Sequence, residues 1–189
     1  MKKLFVVTIF SILSFVSHSQ EFMGIKIDGG KDIVLNQFKT KGFILSPNND
    51  TKLLYTSMKG IVNGKPMELL VCHTPTSKLV WKLIVTLPKQ NNWLDLKNEY
   101  EKYKEILIKK YGEPTNDFHF FSSPYVEGDG YEMTGVAVGK CTYAAYFTHE
   151  GNSIAIQITE WKEVDITYEN EKNRILKNKE KQDLDSKIF

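Results

Sequence analysis

The stretch LLYTSMKGIVNGKPMELLVCHTPTSKLVWKLIVTL, residues 53–87, decides the fold class. Its aliphatic-rich runs, 53–61, 67–73 and 79–87, are separated by turn chemistry and read as successive β-strands. Asn63-Gly64 joins the first two as a tight hairpin, because both residues accept the positive φ such a turn requires. Pro66 has no N–H and must stand where the ladder needs no donor. In the third run Leu79, Trp81, Leu83, Val85 and Leu87 alternate with Lys82 and Thr86, which gives one apolar face and one in partial contact with solvent.

Helical periodicity flanks these strands. A short extended segment, 22–27, and the breaker Asp28-Gly29-Gly30 precede a helix expected over 31–41. Ile33, Val34 and Phe38 form its apolar face, with Leu35 at the edge; Gly42 suits the left-handed residue that ends it, and Phe43 can fold back on it. After the strands comes the clearest helix of the chain. Asn92 is its N-cap, Asp95 lies in its first turn, and Trp93, Leu96, Tyr100, Tyr103, Leu107 and Tyr111 form one stripe, closed by Gly112 and Pro114.

A second meander is expected over 117–122, 131–138, 141–149 and 153–161, with an exposed loop at 123–130. Gly139-Lys140 and Gly151-Asn152 are its tight connections, and Ile154, Ile156 and Ile158 face away from Gln157 and Thr159. From Tyr168 the chain is nearly all charge and amide, read as a solvent-exposed helix fading into a frayed end. The fold class is therefore α+β: an antiparallel sheet of about seven to eight strands with helices packed on one face. The organisation is a signal peptide over 1–19, one domain over 20–167 with halves 20–90 and 91–167, and a charged helix or tail over 168–189. Each half opens with a helix ending on lysine and glycine, Lys41-Gly42 and Lys110-Tyr111-Gly112, so two tandem αβ units are one way to build the sheet.

Lys2 and Lys3, the apolar run from Leu4 to Val16 and the small residues Ser17 and Ser19 read as an export signal cleaved after Ser19. The apolar run is shorter than the roughly 20 residues of a spanning helix, so no transmembrane segment is expected once it is removed, and the location is periplasmic or secreted. Those two lysines account for the net charge of +2; from Gln20 onward basic side chains equal the 23 acidic ones. A nucleic-acid binder carries a basic excess, and none is present. Cys72 and Cys141 are either a disulfide that export permits or two buried thiols, depending on whether their Cα atoms approach within about 7 Å.

No assembled catalytic motif is legible. His73, His119 and His149 lie on expected strands without a local metal-ligand spacing. Cys72 adjoins His73, but neighbours on a strand point to opposite faces and cannot act as nucleophile and base. Gly128, Gly130 and Gly135 precede a strand rather than a helix N-terminus and do not form a phosphate cradle. Glu127, Asp129, Glu132 and Glu150 are simplest as solvated groups in and around loops. No catalytic, cofactor-binding or metal-binding residue is assigned, and no cofactor is expected.

Several fragments carry a resemblance. Phe22-Met23-Gly24-Ile25-Lys26-Ile27-Asp28-Gly29, Phe38-Lys39-Thr40-Lys41-Gly42-Phe43, Lys110-Tyr111-Gly112-Glu113-Pro114 and Ile166-Thr167-Tyr168 with Asn173 look like those of uncharacterised exported bacterial proteins. Such proteins resemble the β-lactamase-inhibitor-protein architecture of two tandem helix-plus-sheet units forming a concave surface. The resemblance implies that fold and a secreted life. It carries over no functional residue, and the disulfides stapling each unit of the inhibitor have no counterpart among only two cysteines. The expected role is non-covalent recognition of a protein or cell-envelope polymer through a concave sheet face or the loop 123–130. Phe118, Phe120, Tyr125 and Tyr131 are its candidate surface, since aromatic side chains supply large contact area at low entropic cost. The alternatives are an envelope or extracellular hydrolase using the three histidines, and a structural or assembly accessory.

Overall fold

A computed structural model describes residues 20–47, 49–50 and 52–187; the expected leader lies outside them. The chain is α+β, and its centre is an antiparallel sheet of eight strands. The chain enters through a small hairpin, β1 (Glu21–Phe22) and β2 (Ile25–Lys26), whose turn residues Met23 and Gly24 both have positive φ. This hairpin replaces the single extended segment expected there. Helix α1 (Lys31–Thr40) follows, then a meander of β3 (Ile44–Leu45), β4 (Tyr55–Val62), β5 (Lys65–His73) and β6 (Val80–Thr86). Helix α2 (Trp93–Tyr111) opens the second half, with β7 (Asn116–Phe121), the short helix α3 (Glu132–Ala137), β8 (Cys141–His149), β9 (Asn152–Ile158) and β10 (Val164–Glu169). Helix α4 (Glu171–Asp185) ends the described chain.

The order β3-β4-β5-β6-β10-β9-β8-β7 places the two meanders side by side, each starting at an outer edge and finishing at the centre. They meet where β6 pairs with β10, with Val85 opposite Ile166 and Leu83 opposite Tyr168. Across the sheet the same phase continues. Met58, Leu69, Leu83, Val85, Ile166, Ile156, Ala145 and Phe147 are all buried on one side, where α1 and α2 pack. Helix α1 contributes Val34, Leu35 and Phe38; Phe43 returns onto Phe38 after Gly42, whose φ is +90°, with ring centroids 5.7 Å apart. Ile33, expected on that face, is 64% exposed, because the stripe centres on Val34 and Phe38.

Asn92 caps α2 as expected, its Oδ1 accepting from the Asp95 amide at 2.9 Å, and Gly112 ends the helix with φ +86°. Leu96, Tyr100 and Leu107 are buried, while Trp93, Tyr103 and Tyr111 pack at the margin of the core.

Further expectations change. The segment 131–138 is not a strand: residues 132–137 form α3, because Met133 and Val136 meet the core at helical spacing while Val138 stays exposed. Gly135 packs there under Phe121 and Tyr125. Strand β10 goes beyond the expected elements and straddles the boundary placed at 167; it begins after a turn in which Lys162 has φ +66°. In β6 a bulge opposite Cys72 and His73 makes Trp81 an extra residue, so Val80, not Trp81, joins Leu83 and Val85 in the core. Finally, the terminal helix is docked rather than solvated. The Asn173 side chain donates to the Val80 and Asp28 carbonyls at 2.7 and 3.1 Å, and Glu180 accepts from the Thr76 and Ser77 amides at 2.7 and 3.2 Å. No described helix is long and apolar enough to cross a membrane.

Two outcomes test this packing. A Cβ on Gly60 would sit 2.6 Å from the buried Phe43 ring, so Gly60→Ala is expected to destabilise by about 1–3 kcal/mol in urea unfolding. At Glu180 burial opposes ionisation, but hydrogen bonds from Ser77 and Thr76 outweigh it and hold the carboxyl below its usual range. A depressed acid stabilises above its unfolded pKa and loses that contribution as pH falls through the folded one. Glu180→Ala is therefore expected to cost about 1 kcal/mol at pH 7, and the deficit against the parent should shrink in melts run progressively below pH 4.

Candidate functional site

The side of the sheet opposite α1 and α2 carries a different chemistry. Its rows run through Glu68, Thr86, Asp165, Gln157, Ala144 and Phe118, which are in register across six strands. The next row holds Leu70, Ile84, Thr167, Ala155 and Tyr146. Toward the β7 edge this mixed surface turns aromatic. Phe118 and Phe120 project from β7 with 41% and 48% exposure, and Tyr146 of β8, 42% exposed, meets Phe118 edge-on at 6.2 Å. Strand β7 is also a sheet edge, so its outer backbone donors and acceptors face away from β8.

The strand can show phenylalanine outward because its inner side is held by charge. Asp117 and His119 point toward α2, where the Lys104 ammonium lies 3.3 Å from Asp117, 3.1 Å from Glu101 and 2.9 Å from His119 Nε2. His119 Nε2 is also 3.0 Å from Asp117 Oδ1. That nitrogen either accepts from Lys104 or donates to Asp117, not both in one protonation state. The Lys104 side chain is only 10% exposed and spans the Tyr100 ring at 5.5 Å, so its charge is compensated inside the packing. Phe121 completes the attachment, its ring 5.1 Å from Trp93.

The loop 123–130 is ordered by its own acids. Glu127 accepts from Lys97, from the Tyr143 hydroxyl at 2.6 Å and from Trp93 Nε1 at 3.3 Å, and those bonds lower its pKa, Lys97 and Tyr143 foremost. Asp129 accepts from the Val126 and Tyr131 amides, and Glu132 from Gly128. Glu127, Asp129 and Glu132 each have a structural partner and organise the loop, while Glu150, the fourth acid weighed for paired catalysis, lies apart in the β8–β9 turn.

Phe118 and Phe120 thus share one surface. Tyr125 turns inward beside Gly135 and Phe121, and Tyr131 stands 66% exposed at the start of α3. Tyr146 belongs with the two phenylalanines and went unrecognised in the sequence; counting by twos along β8 separates it from Tyr143, Ala145 and Phe147 and would have found it.

The other candidates stay apart. His73 is buried, with Nδ1 2.9 Å from the Thr74 carbonyl oxygen, and burial lowers its pKa. His119 lies in the Lys104 network, and His149 packs against Tyr111 at 5.2 Å. Among the described residues no group of three or more His, Cys, Asp or Glu could hold a metal ion. Cys72 and Cys141 are free, on β5 and β8 in opposite halves, with burial pushing the thiols up to about 11 and about 12. A cleft of about 410 Å³ between α3 and the β9–β10 turn is lined by Glu160, Trp161 and Asp165, whose carboxyl burial raises above its usual range.

Compared with protein-family models, curated proteins and solved structures, the chain matches none. The Lys104 network is open to a direct measurement. In a double-mutant cycle of Lys104→Met and Asp117→Asn, urea unfolding is expected to give a coupling of about 1 kcal/mol or more. Zero coupling would mean that the Lys104–Asp117 pair does not help hold β7, leaving its ladder with β8 and the packing of Phe121.

Proposed function

We propose that this chain is an exported, non-catalytic recognition protein of the cell envelope, binding a protein or an envelope polymer through the β7 end of its uncovered sheet face. The observation that carries this reading is the exposure of Phe118, Phe120 and Tyr146 together at a sheet edge. Aromatic groups held rigidly in the open are the usual anchors of an interface, and an edge strand adds main-chain hydrogen bonds to them. The polar network behind β7 supplies that rigidity without occupying the outer side.

Within this reading the helix-then-meander arrangement, α1 with β3–β6 and α2 with β7–β10, corresponds to two tandem units of the β-lactamase-inhibitor-protein kind. The leader directs export, and the chain that acts begins at Gln20. No nucleic-acid partner is expected, and no transmembrane segment once the leader is removed.

Envelope fractions from the native cell, passed over the immobilised 20–189 chain, should leave a specifically retained component. Phe118→Ser/Phe120→Ser is expected to lose it while melting within a few degrees of the parent, since both rings are already about half exposed. Equal retention by that variant would refute the surface, and native protein still carrying Met1 would refute export.

A further inference from the structure

We propose that the groove between α4 and the β4–β6 end of the sheet face opposite α1 and α2 binds a small amphipathic carboxylate: an apolar chain laid against Trp81 with its anionic head between Lys177 and Lys181. This site is separate from the aromatic edge at β7 and depends on different residues.

The groove follows from two local features of the fold. The bulge in β6 adds Trp81 as an extra residue, and its ring stands beneath α4, with the Lys177 ammonium 4.5 Å from its centroid. Helix α4 is pinned through Asn173 to the start of β6 and through Glu180 to the β5–β6 turn, so its position over the sheet is set. Past Glu180 it continues to Asp185, and Leu184 remains 43% exposed. A cavity of about 350 Å³ lies between these parts, within the range of small-ligand sites.

Its walls are apolar. Leu54, Tyr55 and Pro75 come from the β4 and β5 ends, and Leu184 from the helix. Cys72 lies among them, and the raised pKa of its thiol reflects a poorly hydrated base. An apolar surface of this kind gains by taking a hydrocarbon chain out of water.

The charge at the mouth selects the head group. Lys177 and Lys181 line the groove, and among the described residues neither forms an ion pair. Nearby Lys82, by contrast, is held by Glu169 at 2.8 Å. Asp185 is the one acidic lining residue, so two ammonium groups face one carboxylate and a single positive charge is left over. A singly charged carboxylate completes that balance. The groove is recessed between helix and sheet, and this suits one chain entering from solution; insertion into a bilayer needs apolar groups that protrude.

The test is calorimetric titration of the 20–189 chain with decanoate below its micellar concentration. Saturable one-site binding is expected, weakened about tenfold or more by Lys177→Gln/Lys181→Gln. Leu184→Glu should abolish it, because it places a second acid in the apolar wall at a position exposed enough to leave the fold intact, as checked by circular dichroism. Decanol and decyltrimethylammonium should bind at least tenfold more weakly than decanoate. The inference is overturned by absence of decanoate binding, by equal binding of the three head groups, by unchanged affinity in both variants, or by association only with anionic phospholipid vesicles.

Discussion

The pairing of β6 with β10 is the constraint on which the rest of this molecule depends. Each meander alone would leave its last strand as an open, strongly apolar edge: Leu83 and Val85 on one, Ile166 and Tyr168 on the other. Joining these edges satisfies both ladders and merges two small inner faces into one core. The contact brings together strands that are separated in sequence by all of α2 and β7–β9, so the whole second half must be gathered before it forms. Sequence-local hairpins can assemble each half, but only this non-local ladder makes them a single sheet.

Once the centre is closed, the two sides of the sheet acquire different roles. Helices α1 and α2 each follow their own half onto the same side, where the continuous aliphatic rows require cover. The opposite side alternates aliphatic, hydroxyl and charged residues and can remain in water. At the β7 edge the logic is locally inverted. The inner residues Asp117 and His119 are polar, and the buried Lys104 ammonium of α2 makes them tolerable there, while phenylalanine takes the outer side. That inversion gives the proposed recognition surface its physical basis: aromatic exposure on a strand anchored by charge.

Much of the framework was legible because its signals are local. Asn63 and Gly64 have the positive φ that their pairing implied, Gly42 and Gly112 end their helices in that region, and Asn92 caps α2 through its own side chain. The elements that escaped notice are those whose identity depends on a distant partner. Strand β10 alternates Val164, Ile166 and Tyr168 with Asp165, Thr167 and Glu169, yet it is short and its flanks are so polar that 164–167 suggest no element and Tyr168 reads as the start of the tail. The segment holding α3 contains residues at home in a strand, and Phe121 and Tyr125 packing on Gly135 suits it to a helix. The terminal helix was legible as a helix, but its docking was not: it has too few apolar residues for a stripe and docks through Asn173 and Glu180 instead.

The candidate sites divide in the same way. Phe118 and Phe120 could be singled out by composition and placed on one face by counting, but Tyr125 and Tyr131 could not be separated from them without the loop's geometry. Tyr146, Trp81 and Lys177 join sites only through register, a bulge and the course of a helix that sequence periodicity does not encode. By itself the sequence determined the secondary-structure class, the ends of α1 and α2, the Asn63-Gly64 turn and the buried side of most strands, because each follows from backbone preference or from short-period burial. The turns expected at Gly139-Lys140 and Gly151-Asn152 instead join α3 to β8 and fall on Glu150-Gly151. The tertiary structure alone decided which strands became neighbours, which half-polar strand lay at the centre and which aromatic groups were left in water. Those outcomes depend on closing long loops around a shared core, where the gain belongs to the assembled sheet and to no single segment.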